Sequence, residues 1–446
     1  LRIFAMHKKQ SGTKSNFTPT RRSALVGSSC AFVPSVAIAG SPPAEPAHFQ
    51  ADLERYVSFG THQSGSIGDQ ATVQWISSRI SASGYRVSLQ PIDVPFFDEA
   101  RATVTLSNGS EFVGIGQHPI TLTGKDGLSA PLILWREDLD QSAIAGKIAV
   151  IMLPFGRHSS ALQPVIARLI KAASEANPRA LIVVTDGPSG EALALIALDE
   201  PADRHLPILV LGSRGIQSVL QAARNGASAK LYLEGRTGRR IANNVVGRRN
   251  GAGKKIVLTT PLSGWFTCAA ERGSGVSAFL ALADWLARAY PNLDVTLGAM
   301  TGHEFENLGS KQFNAQMVPP PGDVDLWVHL GASFAARDWH ELAPGLLAPL
   351  PSMDAQHFLL GHESFLPILR QAMKGVPGFE VPYAASIEAA AGEAKQILID
   401  GYTKLIANFG AHRLHHARSD GLQATDGALI HQAYAGLQSS VSKILA

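Results

Sequence analysis

Acidic and histidine side chains occur in three loops of the sequence, and each loop follows a predicted strand. The first loop contains Glu271. The second contains the adjacent pair His303 and Glu304, and the third contains His416. Zinc in proteins is bound by three or four ligands, usually contributed by separate elements. If the three loops meet at one edge of a sheet, we expect Glu271, Glu304 and His416 to bind a zinc ion.

The same loops contain a candidate for proton transfer. A catalytic zinc site keeps one coordination position for water, and the metal lowers the pKa of that water. A neighbouring base must then accept a proton. His303 is adjacent to Glu304, and the ordinary pKa of an imidazole lies near neutrality. We therefore predict His303 as the catalytic residue that moves the proton.

Spacing alone leaves other interpretations of these loops open. Glu306 can be a solvated loop side chain, and the cluster of His412, His415 and His416 can be purely structural. The segment 273–275 precedes a predicted helix and can bind an anion at the helix N-terminus, but a tight turn explains it equally well. The residue types therefore permit metal chemistry without requiring it.

The elements around these loops predict an α/β fold. From Ile241 onward, apolar strands alternate with helices, as at Lys255–Thr260 followed by the amphipathic segment Gly275–Tyr290. Such alternation predicts a sheet with helices on both faces. Further upstream, 51–84 is predicted as helical and Tyr85–Phe97 as a strand. Because sites in such sheets form at the C-terminal ends of strands, the three loops are well placed.

Composition and charge exclude several classes of protein. The chain has 446 residues, of which 45% are hydrophobic and 17% charged, which predicts a globular protein of two to four domains. The formal net charge is +3, but residues 1–39 contain six Lys or Arg residues and no Asp or Glu. The remainder of the chain carries no positive excess, so we expect no nucleic-acid partner.

Residues 1–39 are predicted as a signal peptide. Arg21 and Arg22 precede the mostly apolar run Ala24–Ile38, and residues 37–39 form an A-x-A cleavage site. The paired arginines resemble a twin-arginine export signal, with an ordinary secretory signal as the alternative. We expect an exported protein, periplasmic or extracellular, without a membrane span. Cleavage leaves Cys268 as a single cysteine, so we expect no internal disulfide.

The order of these segments resembles the co-catalytic zinc aminopeptidase family, which also includes glutamate carboxypeptidase, glutaminyl cyclase, nicalin and the transferrin receptor. The resemblance extends over about residues 51–445. Glu271–Val276 is similar to the family's Asp-Asn-x-Ser-Gly-Val, in which the Asp bridges two zinc ions. Gly302–Glu304 with Leu308–Ser310 is similar to Gly-Glu-Glu and Leu-Gly-Ser, and His416–Asp420 to His-x-x-x-Asp.

The resemblance also implies an architecture. It predicts a zinc-exopeptidase-like mixed sheet between helices, with 40–114 as the N-terminal part of this domain and 236–446 as its main part. Residues 115–235 resemble a protease-associated domain, a smaller α/β insert, because their strands and helices follow the order of that domain. We assign no chemistry to the insert.

Departures from the family's pattern predict a degenerate second metal site. The position of the family's first His ligand is Pro261, and that of a later Asp ligand is Gly331, with His329 as an alternative ligand nearby. The bridging Asp corresponds to Glu271, and the general-base Glu corresponds to His303. Because the second zinc position loses two of its three ligands, the resemblance implies at most one zinc ion.

The sequence thus predicts an exported zinc-exopeptidase-like hydrolase of the aminopeptidase or glutaminyl cyclase type. It would act on an amide or a peptide terminus with at most one metal ion, with altered peptidase activity. A non-catalytic binding or scaffold relative on the same fold is the first alternative. A metal-free enzyme that uses His303, Glu304 and His416 for acid–base chemistry is the second.

Overall fold

The computed structural model describes residues 45–199, 206–343 and 345–446. The predicted signal peptide, 1–39, lies outside these residues. The described residues belong to one compact unit. No helix within the described ranges combines the length and apolar character that crossing a membrane would require.

Sixteen strands are found in the described ranges. They are β1 (Arg86–Leu106), β2 (Glu111–Val113), β3 (Ile115–Gly116), β4 (Leu128–Leu134), β5 (Ile148–Met152), β6 (Ala180–Thr185), β7 (Ile208–Gly212), β8 (Ser228–Arg249), β9 (Lys255–Pro261), β10 (Asp294–Met300), β11 (Leu326–Leu330), β12 (Arg337–Ala343), β13 (Leu346–Met353), β14 (His357–Gly361), β15 (Tyr383–Ala384) and β16 (Leu405–Gly410).

Ten α-helices and several short turns connect these strands in the same part of the chain. The helices are α1 (Pro46–Val57), α2 (Ile67–Ala82), α3 (Gln141–Ile144), α4 (Pro164–Glu175), α5 (Gln217–Arg224), α6 (Ser274–Ala289), α7 (Leu308–Met317), α8 (Leu366–Ala372), α9 (Gly392–Ile399) and α10 (Gly427–Leu445). A π-helical turn at Ala269–Gly273 leads directly into α6.

Fourteen of these strands form one mixed sheet, in the order β15-β14-β16-β11-β9-β10-β8-β4-β5-β6-β7-β3 within the described residues, with β1 paired to β8 and β2 paired to β1. The strands β12 and β13 form a separate two-stranded sheet. At its centre β16, β11, β9 and β10 run parallel, and β8 is antiparallel to β10. The parallel strands β9 and β11 are buried on both faces, which explains their continuous apolar sequences.

Helices cover both faces of this central sheet. On one face α1, α2, α6, α8 and α10 pack on side chains such as Leu258 and Val328. On the other face α7 and α9 pack on their sequence neighbours, Val257 and Trp327. Alternate residues of a strand point to opposite faces, so each strand contributes to two cores. The predicted fold class, a mixed α/β sheet between helices, is confirmed.

The predicted insert, 115–235, continues the same sheet. The long strands β1 and β8 pair along most of their lengths, and β4 joins the C-terminal neighbours β5, β6 and β7 to the first half of β8. Two further hydrophobic cores lie on this part of the sheet. Its identity as a protease-associated domain stays a prediction.

The helix predicted over 51–84 is two helices, α1 and α2, separated by the loop 58–66. Gly60 and Gly65 have φ angles of 83° and 71°, which interrupt a right-handed helix at little cost only for glycine. The Oγ of Ser66 accepts the Asp69 N–H and begins α2. Within the loop, the N–H of His62 donates to the Phe266 carbonyl at 2.8 Å.

His62 makes this loop sensitive to pH. Burial lowers the pKa of His62 to about 4, whereas an unfolded chain has the ordinary histidine pKa near 6.5. The unfolded state therefore binds the proton more readily, and the free energy of unfolding falls as the pH falls from about 6.5 to about 4. The contribution is fully present above this window.

We expect His62→Phe to flatten this pH dependence. Phenylalanine can keep the stack on Tyr56, whose ring centroid lies 3.8 Å from that of His62, but it binds no proton. Urea unfolding should be measured at several pH values between 7 and 4. Between these values the variant should lose less free energy of unfolding than the wild type, by up to ~3 kcal/mol. The exposed residue His340 provides a control, His340→Gln, which should keep the wild-type slope. Equal slopes for all three proteins would contradict the assignment.

Gly298 in β10 allows α7 to approach the sheet closely. A Cβ at this position would lie 2.5 Å from the Phe313 ring, and both residues are in the core. We expect Gly298→Ala to reduce the free energy of unfolding by about 1–3 kcal/mol, measured by urea titration. Gly322→Ala is the matched control, because no atom lies within 4 Å of its Cβ position. An equal loss in both variants would show that packing at Gly298 is not the cause.

Candidate functional site

The three loops meet at the C-terminal ends of the central parallel strands. β9, β10 and β16 end at Pro261, Met300 and Gly410, and the loops that follow contain the candidate residues. One side-chain atom each from Glu271, His303 and His416 lies within 4.8 Å of the corresponding atoms of the other two. All three residues are buried.

Glu271 is positioned by a π-helical turn that is fixed from the C-terminal loop. The carboxylate of Asp420 accepts the N–H groups of Ala270 and Glu271, at 2.9 and 3.0 Å. The first N–H groups of a helix have no partner within it, so a carboxylate at this end stabilises the turn. Asp420, which the sequence places four residues after His416, is therefore a support for Glu271.

The Glu271 carboxylate faces several donors. Its Oε1 lies 3.3 Å from the His416 Nε2 and 2.9 Å from the Arg272 Nη2, and its Oε2 accepts the His416 backbone N–H at 3.3 Å. Burial disfavours the charged form, but His416 and Arg272 outweigh it and hold the pKa of Glu271 well below its usual range. The side chain is thus an ionised carboxylate, the form that binds metals.

The His416 ring is oriented by the predicted insert. Its Nδ1 lies 2.6 Å from the carbonyl oxygen of Ala194, and the Ala194 N–H donates to the His416 carbonyl at 3.0 Å. Since a carbonyl only accepts, the Nδ1 carries a proton, and the Nε2 is the ring atom that points to Glu271. Such an outer hydrogen bond is typical of metal-binding histidines.

His303 is held in the same way by Glu393. The Nδ1 of His303 lies 2.7 Å from the Glu393 Oε1, and the second oxygen of Glu393 lies 3.9 Å from the His329 Nε2. Burial disfavours ionised Glu393, but His303 and Arg272 outweigh this effect and lower the pKa of Glu393 strongly. The Nε2 of His303 is thereby left free for a ligand.

Glu393 is the functional residue that the sequence analysis missed. It lies in the first turn of α9, outside the loops after β9, β10 and β16, and no motif marks it. A glutamate in the first turn of a helix is common on a protein surface. Only its burial against His303 distinguishes Glu393, and the sequence carries no local sign of that contact.

The Glu271, His303 and His416 group has the chemistry of a zinc site. Two imidazoles and one carboxylate are a ligand set that zinc accepts with one open position. Among the described residues, the buried His416 Nε2 makes no hydrogen bond, and the buried Glu271 Oε1 has only its ion-pair contacts with Arg272 and His416. Buried polar atoms of this kind are normally satisfied, and a bound cation would satisfy both. The residues therefore fit one metal ion.

Glu304 lies in a different environment from the other predicted ligands. Its Oε1 accepts the Ser64 N–H at 2.8 Å, and its Oε2 accepts the hydroxyl groups of Ser64 and Ser263 at 2.6 and 2.9 Å. The structure thus brings together Glu271, His303 and His416, and it places Glu304 in a hydrogen-bond network that joins three loops. Glu304 is absent from the groups of described residues that could hold a metal.

Two positions that the sequence analysis relates to a second metal ion, Pro261 and Gly331, carry no donor side chain. Pro261 at the end of β9 has no donor atom, and a Cβ at Gly331 would lie 2.2 Å from the carbonyl oxygen of Asn408. His329 is engaged through its Nδ1 with Thr259 Oγ1 at 2.9 Å. Two groups of described residues could hold a metal, namely Glu271 with His303 and His416, and Cys268 with Glu271 and Asp420, and His329 belongs to neither. Pro261 and Gly331 therefore offer no side-chain ligand, and the number of bound ions stays a prediction.

A cavity of about 400 Å³ lies beside His303, one of the three candidate ligands. Its polar lining includes His303, His329, His415 and Glu393, and its apolar lining includes Phe358. Burial lowers the pKa of His329 to about 4. Burial and His416 together lower the pKa of His415 well below its usual range. Both rings are therefore neutral at neutral pH and can accept or donate a hydrogen bond.

No protein-family model matches the sequence, and no curated protein matches it. Solved structures do match. The zinc aminopeptidase from Bacillus subtilis has a TM-score of 0.69 and 15% sequence identity, over 90% of this chain and 95% of that chain. The peptidase M28 precursor from Shewanella amazonensis has a TM-score of 0.67 and 15% identity, over 88% and 93%.

A third solved structure leads to the same fold. The aminopeptidase from Aneurinibacillus sp. strain AM-1 has a TM-score of 0.60 and 14% identity, over 90% of this chain and 93% of that chain. At such identities a likeness establishes architecture, because activity resides in particular site residues. The chain therefore has the zinc aminopeptidase fold, and the Glu271, His303 and His416 group lies at the ends of its central strands.

Proposed function

We propose that this protein is a hydrolase that binds one zinc ion and cleaves an amide bond at a peptide terminus. The observation that carries the proposal is the group of Glu271, His303 and His416, in which the Nδ1 atoms of both rings have outer acceptors. The aminopeptidase names of the structural neighbours support the substrate class, a peptide or small amide.

A zinc ion in this position would polarise a substrate carbonyl and lower the pKa of a bound water. The chain's own residues prepare the site for that chemistry. Glu393 and the Ala194 carbonyl fix the tautomers of His303 and His416. We assign His303 as the third ligand, because the Glu304 carboxylate already accepts three hydrogen bonds.

The cavity beside the ligands is the proposed substrate site. The neutral rings of His329 and His415 face it and can hold the polar groups of an amide. Apolar side chains such as Phe358 and Phe409 limit the access of water to the reacting bond. Residues of the predicted insert, including Ile196, complete the wall. We further propose that the protein is exported, on the basis of the leader at 1–39.

A non-catalytic binding protein is the second candidate. It is favoured by Pro261 and Gly331, which remove two ligands from the position of a second metal. The two candidates differ in turnover. Zinc-loaded protein should release free amino acid or cyclised product from a peptide mixture, as followed by mass spectrometry. Bound zinc without any turnover would favour the binding protein.

The ligand assignment predicts different effects for two glutamates. We expect wild-type protein without a histidine tag to bind about one zinc ion per chain, measured by elemental analysis after dialysis. Glu271→Gln should weaken zinc binding at least 100-fold, because it removes a charged ligand. Glu304→Gln should keep the zinc and lower the free energy of unfolding by about 1–3 kcal/mol, because buried hydrogen bonds are perturbed. Loss of zinc in Glu304→Gln alone would reverse the assignment.

The contact of the Glu393 carboxylate with His303 predicts a moderate effect on zinc affinity. Glu393→Gln keeps the size of the side chain but weakens its hold on the His303 Nδ1, so we expect zinc affinity to fall about 10–100-fold. Isothermal titration calorimetry measures the change. The exposed Glu388 gives a control, Glu388→Gln, with unchanged affinity. Unchanged affinity in Glu393→Gln would show that the contact with His303 does not support a metal ligand.

A further inference from the structure

The Arg272 guanidinium is a fully buried cation in the centre of the candidate site. Its side chain is 0% exposed, and its Nη2 lies 2.9 Å from the Glu271 Oε1. Its Nε donates to the Ser263 carbonyl at 3.0 Å. Burial disfavours the charge, but the carboxylates of Glu271 and Glu393 outweigh it and raise the pKa of Arg272. The guanidinium is therefore charged, and burial of such a charge is costly unless acids balance it.

Arg272 carries the permanent positive charge of the site, because a guanidinium stays protonated in proteins. Glu271 and Glu393 are two buried carboxylates, and each also has a histidine partner, His416 and His303 respectively. Arg272 acts on both acids. It contacts the Glu271 Oε1 at 2.9 Å and, together with His303, lowers the pKa of Glu393.

The guanidinium faces the same oxygen of Glu271 as the proposed ligand His416 does. Its Nε is bound by the carbonyl of Ser263, two residues after Pro261 at the end of β9. Among the described residues, the Nη1 and Nη2 make no hydrogen bond. The contact with Glu271 is therefore an ion pair that depends on charge and not on a hydrogen bond. Such a contact is expected of a cation that lies between acids.

We infer that Arg272 is a fixed internal cation that takes the electrostatic role of a second metal ion and thereby limits the site to one ion. The inference rests on the proposed zinc site and extends it to the origin of its stoichiometry. Arg272 neutralises one negative charge and occupies one side of the Glu271 Oε1. Because a guanidinium has no vacant coordination position, it provides charge without activating water.

The number of bound ions tests this role directly. We expect Arg272→Met, which keeps an unbranched chain and removes the charge, to bind one more zinc or manganese ion per chain than the wild type. Arg272→Lys keeps the charge and should bind the wild-type number. Elemental analysis and calorimetric titration with the metal alone measure both variants. An Arg272→Met protein with the wild-type number of ions and unchanged affinity would overturn the inference.

A second measurement does not depend on metal. In excess chelator, Arg272→Met removes the permanent cation that acts on two buried carboxylates, so its urea midpoint should fall markedly. Adding Glu393→Gln to this variant removes one of the two charges and should restore part of the midpoint, although Glu393→Gln alone is destabilising. Strictly additive effects of the two substitutions would overturn the inference, whichever ion count is found.

The two proposals fail separately. A wild-type protein that binds no zinc would refute the proposed zinc hydrolase, whereas the gain of an ion in Arg272→Met and its coupling to Glu393 would still support the role of Arg272. If Arg272→Met folds only when metal is added, as followed by circular dichroism, the added ion has replaced the missing cation, and this result also supports the inference.

Discussion

A buried, ionised carboxylate at Glu271 is the constraint on which the site depends. Such a charge is stable in a protein interior only if cations and hydrogen-bond donors compensate for its lost hydration. Here Arg272, the His416 ring and the His416 backbone N–H all converge on it. Asp420 fixes the turn that carries it. Loops that are distant in sequence are thereby bound to one point.

The same principle explains the pairing of His303 with Glu393. A second buried acid can be ionised because His303 and Arg272 outweigh the cost of burial. As a result, the two acids Glu271 and Glu393 alternate with cationic or neutral side chains in an array that extends from His416 to His329. A divalent cation would fit the array where ring nitrogens of His303 and His416 and an oxygen of Glu271 lie within 4.8 Å of one another. Charge and tautomer together define that place.

The predicted insert contributes to the site through its backbone. The carbonyl of Ala194 fixes the His416 ring, and the N–H of Ala197 donates to the Glu304 carbonyl. A backbone group places no demand on the side chain at its position, so these contacts are compatible with almost any residue. They attach the segment around Ala194 to two of the three loops of the candidate site and make it part of the cavity wall.

The sequence by itself determined the elements, the fold class and the three loops. The apolar strand β9 and the helix α6 were predicted with boundaries within a few residues, because buried strands and amphipathic helices have characteristic periodicities. Only the tertiary structure decided which of two adjacent residues, His303 or Glu304, faces Glu271. Neighbouring side chains in a loop point in different directions, and Ser64 and Ser263, from distant segments, hold Glu304 away. The tertiary structure also decided the role of Glu393, because its partner His303 is 90 residues away and no local pattern encodes that contact.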